Sequence, residues 1–309
     1  MRFVIAGAGG VGGNLGVRLI EAGHGVAWLA RGANLAALRR GVSLESPLGN
    51  LRLGPQEADE DASRLGRADA VIVAVKMYGL AELAPRLAPL AGPGTLILPL
   101  QNGVEAHSIL GAALPPASVL KGMVSVKTRL KGPGEVECKS GFCRVRFGGP
   151  DSAPLAAALN GGKGIDAVVS ADIDADLWRK FVMLASFSAV ACLARATIGQ
   201  VLDDPQAYRL LIDAVTEAAT VARARGIAME ADIRSLVDAQ VRDLPRDGKP
   251  SMLEDLEAGR PLELDFLSGA VARLGAQAGV PTPFHAMASR ALAMHAAGRV
   301  NNSLARPQS

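Results

Sequence analysis

The chain is 309 residues long, 49% hydrophobic and 20% charged, with a formal net charge of +3. That balance excludes a disordered chain and an integral membrane protein, and the length exceeds what one core usually fills, so two domains are expected. Three cysteines, at 138, 143 and 192, and four histidines, at 24, 107, 285 and 295, show no metal-ligand spacing, which argues against a metal site and for a reducing compartment.

The elements begin with "RFVIAGA", a short apolar run ending in glycines, and helical spacing follows over residues 11–22. "GVAWLAR" reads as a second strand. "ADAVIVAVK" (68–76) and "GTLILPLQNG" (94–103) are continuous β-rich runs, as expected of strands buried on both faces of a parallel sheet. Between them, "GLAELAPRLAPLAG" reads as a crossover helix interrupted by prolines. Such alternation predicts an α/β fold, with a Rossmann-type, doubly wound parallel sheet over residues 1–170. Residues 118–148 read as antiparallel strands that close its far edge, with a turn at "KGPGE".

From residue 171 the strand-like runs cease. Helical segments are expected at 174–194, 204–225, 229–241, 251–258, 262–278 and 283–297, so residues 171–309 form an all-helical second domain. The longest apolar stretch, 181–194, has 14 residues and falls short of the roughly 20 that a membrane span needs; a buried core helix is expected. The polar tail "GRVNNSLARPQS" is expected to fray. "MRFVIAGAGG" lacks a signal-peptide cleavage site, and a cytoplasmic protein with no membrane partner is expected. Residues 121–146 hold seven Lys/Arg against two Glu, but these alternate with apolar residues, which suits the solvated side of a sheet rather than a nucleic-acid site.

"GAGGVG", Gly7–Gly12, fits G-x-G-x-x-G directly after a strand and at the start of a helix. In that context Gly7 allows the tight turn, Gly9 lets backbone approach a pyrophosphate, and Gly12 lets the helix pack on the strand. Gly7, Gly9, Gly10, Val11 and Gly12 are therefore candidate dinucleotide-binding residues, with the helix N-terminus facing the phosphates. The second strand ends in Arg31, where an NAD site usually carries a carboxylate. A guanidinium suits a 2′-phosphate, so NADP is the expected cofactor. Lys76 and Gln101-Asn102-Gly103 close the next two strands, where ligands bind in open parallel sheets. Each also has a simpler reading, as a solvated strand end and as a turn dipeptide. Lys180 heads the apolar helix with Met183, Leu184 and Phe187 on its face, none able to pair with an ammonium. It is either a stem on an apolar surface with its charge in water or a working lysine.

Taken in order, "GAGGVGG", the "VK" after the third main strand, "QNG" after the next, "WRK" opening the apolar helix and "SMLEDLEAGRPLELDFLSG" (251–269) resemble the ketopantoate reductase (2-dehydropantoate 2-reductase) family. The resemblance implies a Rossmann domain that binds NADPH and a helical domain that closes over the substrate, with the ketone of ketopantoate reduced to pantoate. It makes Lys180 the catalytic lysine and Glu263 the glutamate that works with it. Asn102 becomes the asparagine near nicotinamide and substrate, Lys76 a lysine lining the site, Ser251 a substrate-contacting serine and Asp255 the aspartate of the same motif. It also implies a homodimer through the helical domain.

The chemistry suits those residues. Hydride addition leaves negative charge on the ketone oxygen, which a positioned ammonium can stabilise and protonate. An apolar wall would lower the lysine pKa, and a nearby carboxylate would oppose that shift. Ser251 with Glu254 also fits a helix capping box, and Glu263 also fits the first turn of a helix after Pro261. The resemblance is broken at Leu184, where the family usually has asparagine four residues after the lysine; Ser188, Ile198 and Gly248 stand where it carries more of them. The leading expectation is an NADPH-dependent ketopantoate reductase. The alternatives are a paralogous reductase of a different 2-oxo acid or ketone and a catalytically silent NADP-binding sensor.

Overall fold

The computed structural model describes residues 1–115, 119–241 and 244–298. Most of the polar tail, from Arg299 onward, therefore lies outside the described residues. Two compact units divide the chain, Met1–Leu177 and Trp178–Ser309.

In the first unit the strands are β1 (Arg2–Ala6), β2 (Gly25–Leu29), β3 (Val42–Glu45), β4 (Leu51–Leu53), β5 (Ala58–Asp59), β6 (Ala70–Val73) and β7 (Leu96–Pro99). They continue with β8 (Lys121–Ser125), β9 (Thr128–Gly132), β10 (Glu135–Cys138), β11 (Cys143–Gly148) and β12 (Ile165–Val169). The helices are α1 (Gly10–Glu21), α2 (Gly32–Leu38), α3 (Leu80–Leu83), α4 (Ala106–Gly111) and α5 (Ser152–Asn160). A five-stranded sheet runs in the order β5-β2-β1-β6-β7, all parallel. Its central strands are buried from Phe3 to Ala6 in β1 and from Ala70 to Val73 in β6. That is why they read as unbroken apolar runs. Between β6 and β7 the prolines shorten α3 to one turn and turn the rest of the crossover, Ala84–Leu90, into a 3-10 helix.

The region 118–148 departs from expectation. Val119 makes a single parallel bridge to Ile97 of β7, and the chain then leaves that sheet. β8 joins a three-stranded sheet, β12-β11-β8, and the β9–β10 hairpin joins a second small sheet, β4-β3-β10-β9. Gly134, at φ +73°, supplies the left-handed residue of the hairpin turn. The strands that complete these sheets, β3 and β12, are only partly buried, and β3 meets β10 from far away in sequence. Apolar periodicity therefore gave them little signal.

The second unit is helical among its described residues. α6 (Ile173–Ala194) begins just before the boundary between units, and α7 (Ile198–Asp203), α8 (Pro205–Ala224), α9 (Ile233–Val241), α10 (Ser251–Glu257), α11 (Ser268–Gln277) and α12 (Pro283–Leu292) follow. Asp172 caps α6 by accepting from the Ala175 N–H at 3.0 Å. Glu217 of α8 caps α12, accepting from the N–H groups of Phe284 (2.8 Å) and His285 (3.1 Å). By length and composition α6 could cross a bilayer, but 67% of its most apolar window is buried inside the protein.

Candidate active site

The glycine loop is built by close backbone approach. An added Cβ on Gly12 would stand 2.0 Å from the Gly7 carbonyl oxygen, and one on Gly7, at φ +108°, would stand 2.8 Å from the Val75 nitrogen. Gly7 donates its N–H to the Leu29 carbonyl at 3.1 Å, which ties the loop to the end of β2. On Gly16 a Cβ would meet the Trp28 ring at 2.3 Å, so α1 lies flat on the sheet only because that position is bare. Gly9 is different. Nothing lies within 4 Å of its missing Cβ, and it precedes the first turn of α1. The bare backbone, open space and helix N-terminus together fit a pyrophosphate.

Around this loop the structure gathers the other candidates of the first unit. Arg31 lies just beyond β2 and is the N-cap residue of α2. Its Nη1 lies 3.1 Å from Oε1 of Glu82 in α3. Lys76 follows β6, beside the Val75 that Gly7 admits, and its carbonyl accepts from the Gly79 N–H at 3.0 Å. Gln101, which follows β7 and is buried, donates from Nε2 to the carbonyls of Val73 (2.9 Å) and Val75 (3.1 Å). It thereby pins the ends of β6 and β7 together, and Lys76 and Asn102 directly follow the pinned ends. Gly103, at φ +99°, is a turn residue, so Asn102 sits in the turn that its dipeptide suggested.

In the second unit Lys180 and Glu263 come together. Glu263 is buried, with 4% of its surface exposed. It lies ahead of a 3-10 turn, Leu264–Phe266, rather than in the first turn of an α-helix, so the helix-dipole reading does not hold. Burial pushes the Lys180 ammonium down to about 8, and the Glu263 carboxylate works in the opposite direction. The lysine is therefore poised near neutrality, neither a solvated charge nor a neutral amine. Replacing Glu263 with Gln removes the opposing influence and is expected to bring the Lys180 midpoint below 8. The pH dependence of Lys180 acetylation by acetic anhydride, read by mass spectrometry, measures this, and an unchanged midpoint would mean that Glu263 does not act on the lysine.

The capping-box reading of Ser251 fails. The N-cap of α10 is Pro250 with no side-chain cap bond, and Ser251 is an exposed residue of the first turn. Asp255 is buried and accepts from Arg260 Nε at 2.7 Å, bracing the end of α10. Leu184, one turn beyond Lys180 on the same face, is partly exposed, whereas every other residue from Phe181 to Cys192 is buried. Ser188 is buried with no hydrogen-bond partner for its Oγ, and the Ile198 N–H donates to the Gly248 carbonyl at 2.9 Å. The Cys143 and Cys192 thiols are pushed up to about 12 by burial, and His285 down to about 4. None of these three offers a thiolate or an imidazolium at neutral pH, and among the described residues no cluster could hold a metal.

The ketopantoate reductase PanE/ApbA model matches residues 3–151, and the model of the C-terminal part of the same family matches residues 172–296. This chain belongs to the ketopantoate reductase family. It is an oxidoreductase of a family that depends on nicotinamide dinucleotides. A 2-dehydropantoate 2-reductase of Mesorhizobium japonicum is 29% identical over 312 residues, covering 92% of this chain and 94% of the relative. An uncharacterised oxidoreductase of Bacillus subtilis, YkpB, is 29% identical over 275 residues, covering 87% and 90%. The crystal structure of a PanE/ApbA family ketopantoate reductase from Ralstonia eutropha JMP134 has a TM-score of 0.87 at 27% identity, covering 96% of this chain and 98% of that one.

One residue beside Arg31 escaped the sequence reading. Glu82 sits 51 positions from Arg31, in a helix that reads only as a crossover. Gln101 was visible as part of "QNG", but only the fold shows that its amide spans two carbonyls of the neighbouring strand.

Proposed function

We propose that this reductase transfers hydride from NADPH to the ketone of a 2-oxo acid, with 2-dehydropantoate as substrate and Lys180 as the general acid. The observation that carries the reading is the lysine held near 8 beside a buried glutamate. Bound NADPH supplies the hydride. As the carbonyl carbon receives it, the oxygen gains the electron pair of the C=O π bond, and the Lys180 ammonium gives that oxygen a proton and becomes a neutral amine. Glu263 favours the ammonium before transfer and holds it in place. Asn102, Ser251, Lys76 and Asp255 are assigned to the substrate side. Residues 1–170, with Gly7, Gly9, Gly10, Val11, Gly12, Arg31, Lys76 and Asn102, are assigned to NADP, and residues 171–309 to the substrate and to a homodimer contact.

Arg31 carries the choice of NADP over NAD, as a guanidinium at the end of β2. Arg31→Ala is expected to raise the Kd for NADPH by about tenfold or more while leaving that for NADH within about twofold, since a hydrogen bond to a charged group contributes about 1.5–3 kcal/mol. Fluorescence titration with the two cofactors measures it, and an equal loss for both would remove Arg31 from the reading.

A second reading keeps the cofactor and changes the substrate. Leu184 presents hydrocarbon one turn from Lys180, which favours a less polar 2-oxo acid. Loss of NADPH absorbance with 2-dehydropantoate, run beside a panel of 2-oxo acids and beside NADH, separates the readings. Turnover of 2-dehydropantoate supports the first, and turnover confined to apolar members of the panel supports the second. No turnover of any with NADPH bound would leave a silent sensor.

A further inference from the structure

We propose that Glu82 sets the cofactor preference of this reductase by competing with the cofactor's 2′-phosphate for the Arg31 guanidinium. The proposal rests on the assignment of Arg31 made above. Arg31 and Glu82 are joined at 3.1 Å and stand largely in solvent, with 71% and 64% of their side chains exposed, so a ligand can reach both. Gly32, at φ +58°, and the start of α2 fix the Arg31 backbone. Glu82 is carried by the short helix that follows the Lys76 turn, and its carboxylate meets Arg31 just beyond the end of β2.

Glu82 has a second cation. Arg86 Nη1, one helical turn on, lies 3.9 Å from the same Glu82 oxygen, and Arg86 Nη2 donates to the Glu60 carbonyl at 2.7 Å. When a 2′-phosphate claims Arg31, Glu82 keeps Arg86, so the exchange leaves neither charge stranded. The carboxylate nevertheless stays beside the phosphate and repels it. NADH brings no such charge, and its 2′-hydroxyl can donate to a carboxylate in this position. Glu82 therefore weakens NADPH binding and spares or favours NADH, and the preference that Arg31 creates is held in check by its own partner.

The test compares Glu82→Gln with the unmodified protein, using NADPH, NADH and 2′,5′-ADP as probes and calorimetry or fluorescence as the readout. Glu82→Gln is expected to tighten NADPH and 2′,5′-ADP by about threefold to tenfold at low ionic strength, with the gain shrinking in about 0.5 M salt and no tightening of NADH. Equal shifts for all probes, no shift, or weaker NADPH binding would overturn the proposal. Arg31→Ala separates the two ideas. If it weakens NADPH selectively while Glu82→Gln tightens nothing, the Glu82 role fails and Arg31 stands. If it leaves NADPH binding unchanged, both fall.

Discussion

An enzyme carrying Lys180→Arg is expected to fold, bind NADPH with unchanged affinity and reduce its ketone about 10²- to 10⁴-fold more slowly, the usual contribution of a positioned general acid. Arginine keeps the positive charge beside the buried Glu263, so the carboxylate is not left uncompensated, but a guanidinium cannot release a proton at any working pH. Lys180→Ala is expected to lose as much activity and some stability, because it does strand that carboxylate. The pH profile of the unmodified enzyme follows from the midpoint near 8. Below it the ammonium is present and the reduction rate is flat; above it the acid has already lost its proton, and the rate falls about tenfold per pH unit. In the oxidative direction the amine must accept a proton, so the limb reverses and the rate rises towards 8. Turnover by Lys180→Arg at the normal rate, or a reductive rate that stays flat from pH 7 to 10, would take the proton away from Lys180.

The second large effect separates two glycines of one loop. Gly12→Ala sets a methyl carbon 2.0 Å from the Gly7 carbonyl oxygen. Gly7 cannot retreat, being held at φ +108° with the Val75 backbone behind it. The first unit should lose about 3 kcal/mol of stability, at the upper end of overpacking costs, and NADPH binding with it. Gly9→Ala meets nothing within 4 Å, so thermal unfolding should be unchanged. Its methyl group would occupy the space assigned to the pyrophosphate, and the affinity for NADPH should still drop by about tenfold or more. Melting curves and cofactor titration on the two variants decide it. Normal affinity in Gly9→Ala would mean that the open space at this glycine is not where the phosphates lie.

Legibility in the sequence followed the range of the interactions. β1, the glycine loop and α1 were readable because strand, turn and helix are contiguous and Gly12 is required by a contact within the loop itself, against Gly7. The same holds for α6, whose apolar run and Asp172 cap are local. β3, β4 and β12 were not readable, since they are short and half solvated, and β3 is completed by β10, far along the chain. Lys180 could be singled out because the next residues along its helix face, Met183, Leu184 and Phe187, are all apolar. That Glu263 is buried beside it became visible only once the chain had folded. The serine at 251 misled in the opposite direction. A capping-box pattern is local, but Pro250 took the cap position and moved the helix start by one residue.

The bare face of α1 that receives the Trp28 ring has an optical consequence. The chain has two tryptophans, and they fall one to each unit: Trp28 sits fully buried under Gly16 of the phosphate-loop helix, and Trp178 packs edge-on against Phe181 on the helix that carries Lys180. Each indole is thus an intrinsic emission label for one half of the molecule. Substituting phenylalanine for either leaves a protein whose fluorescence follows the other half alone, so the sheet unit and the helical unit can be watched separately without an added dye.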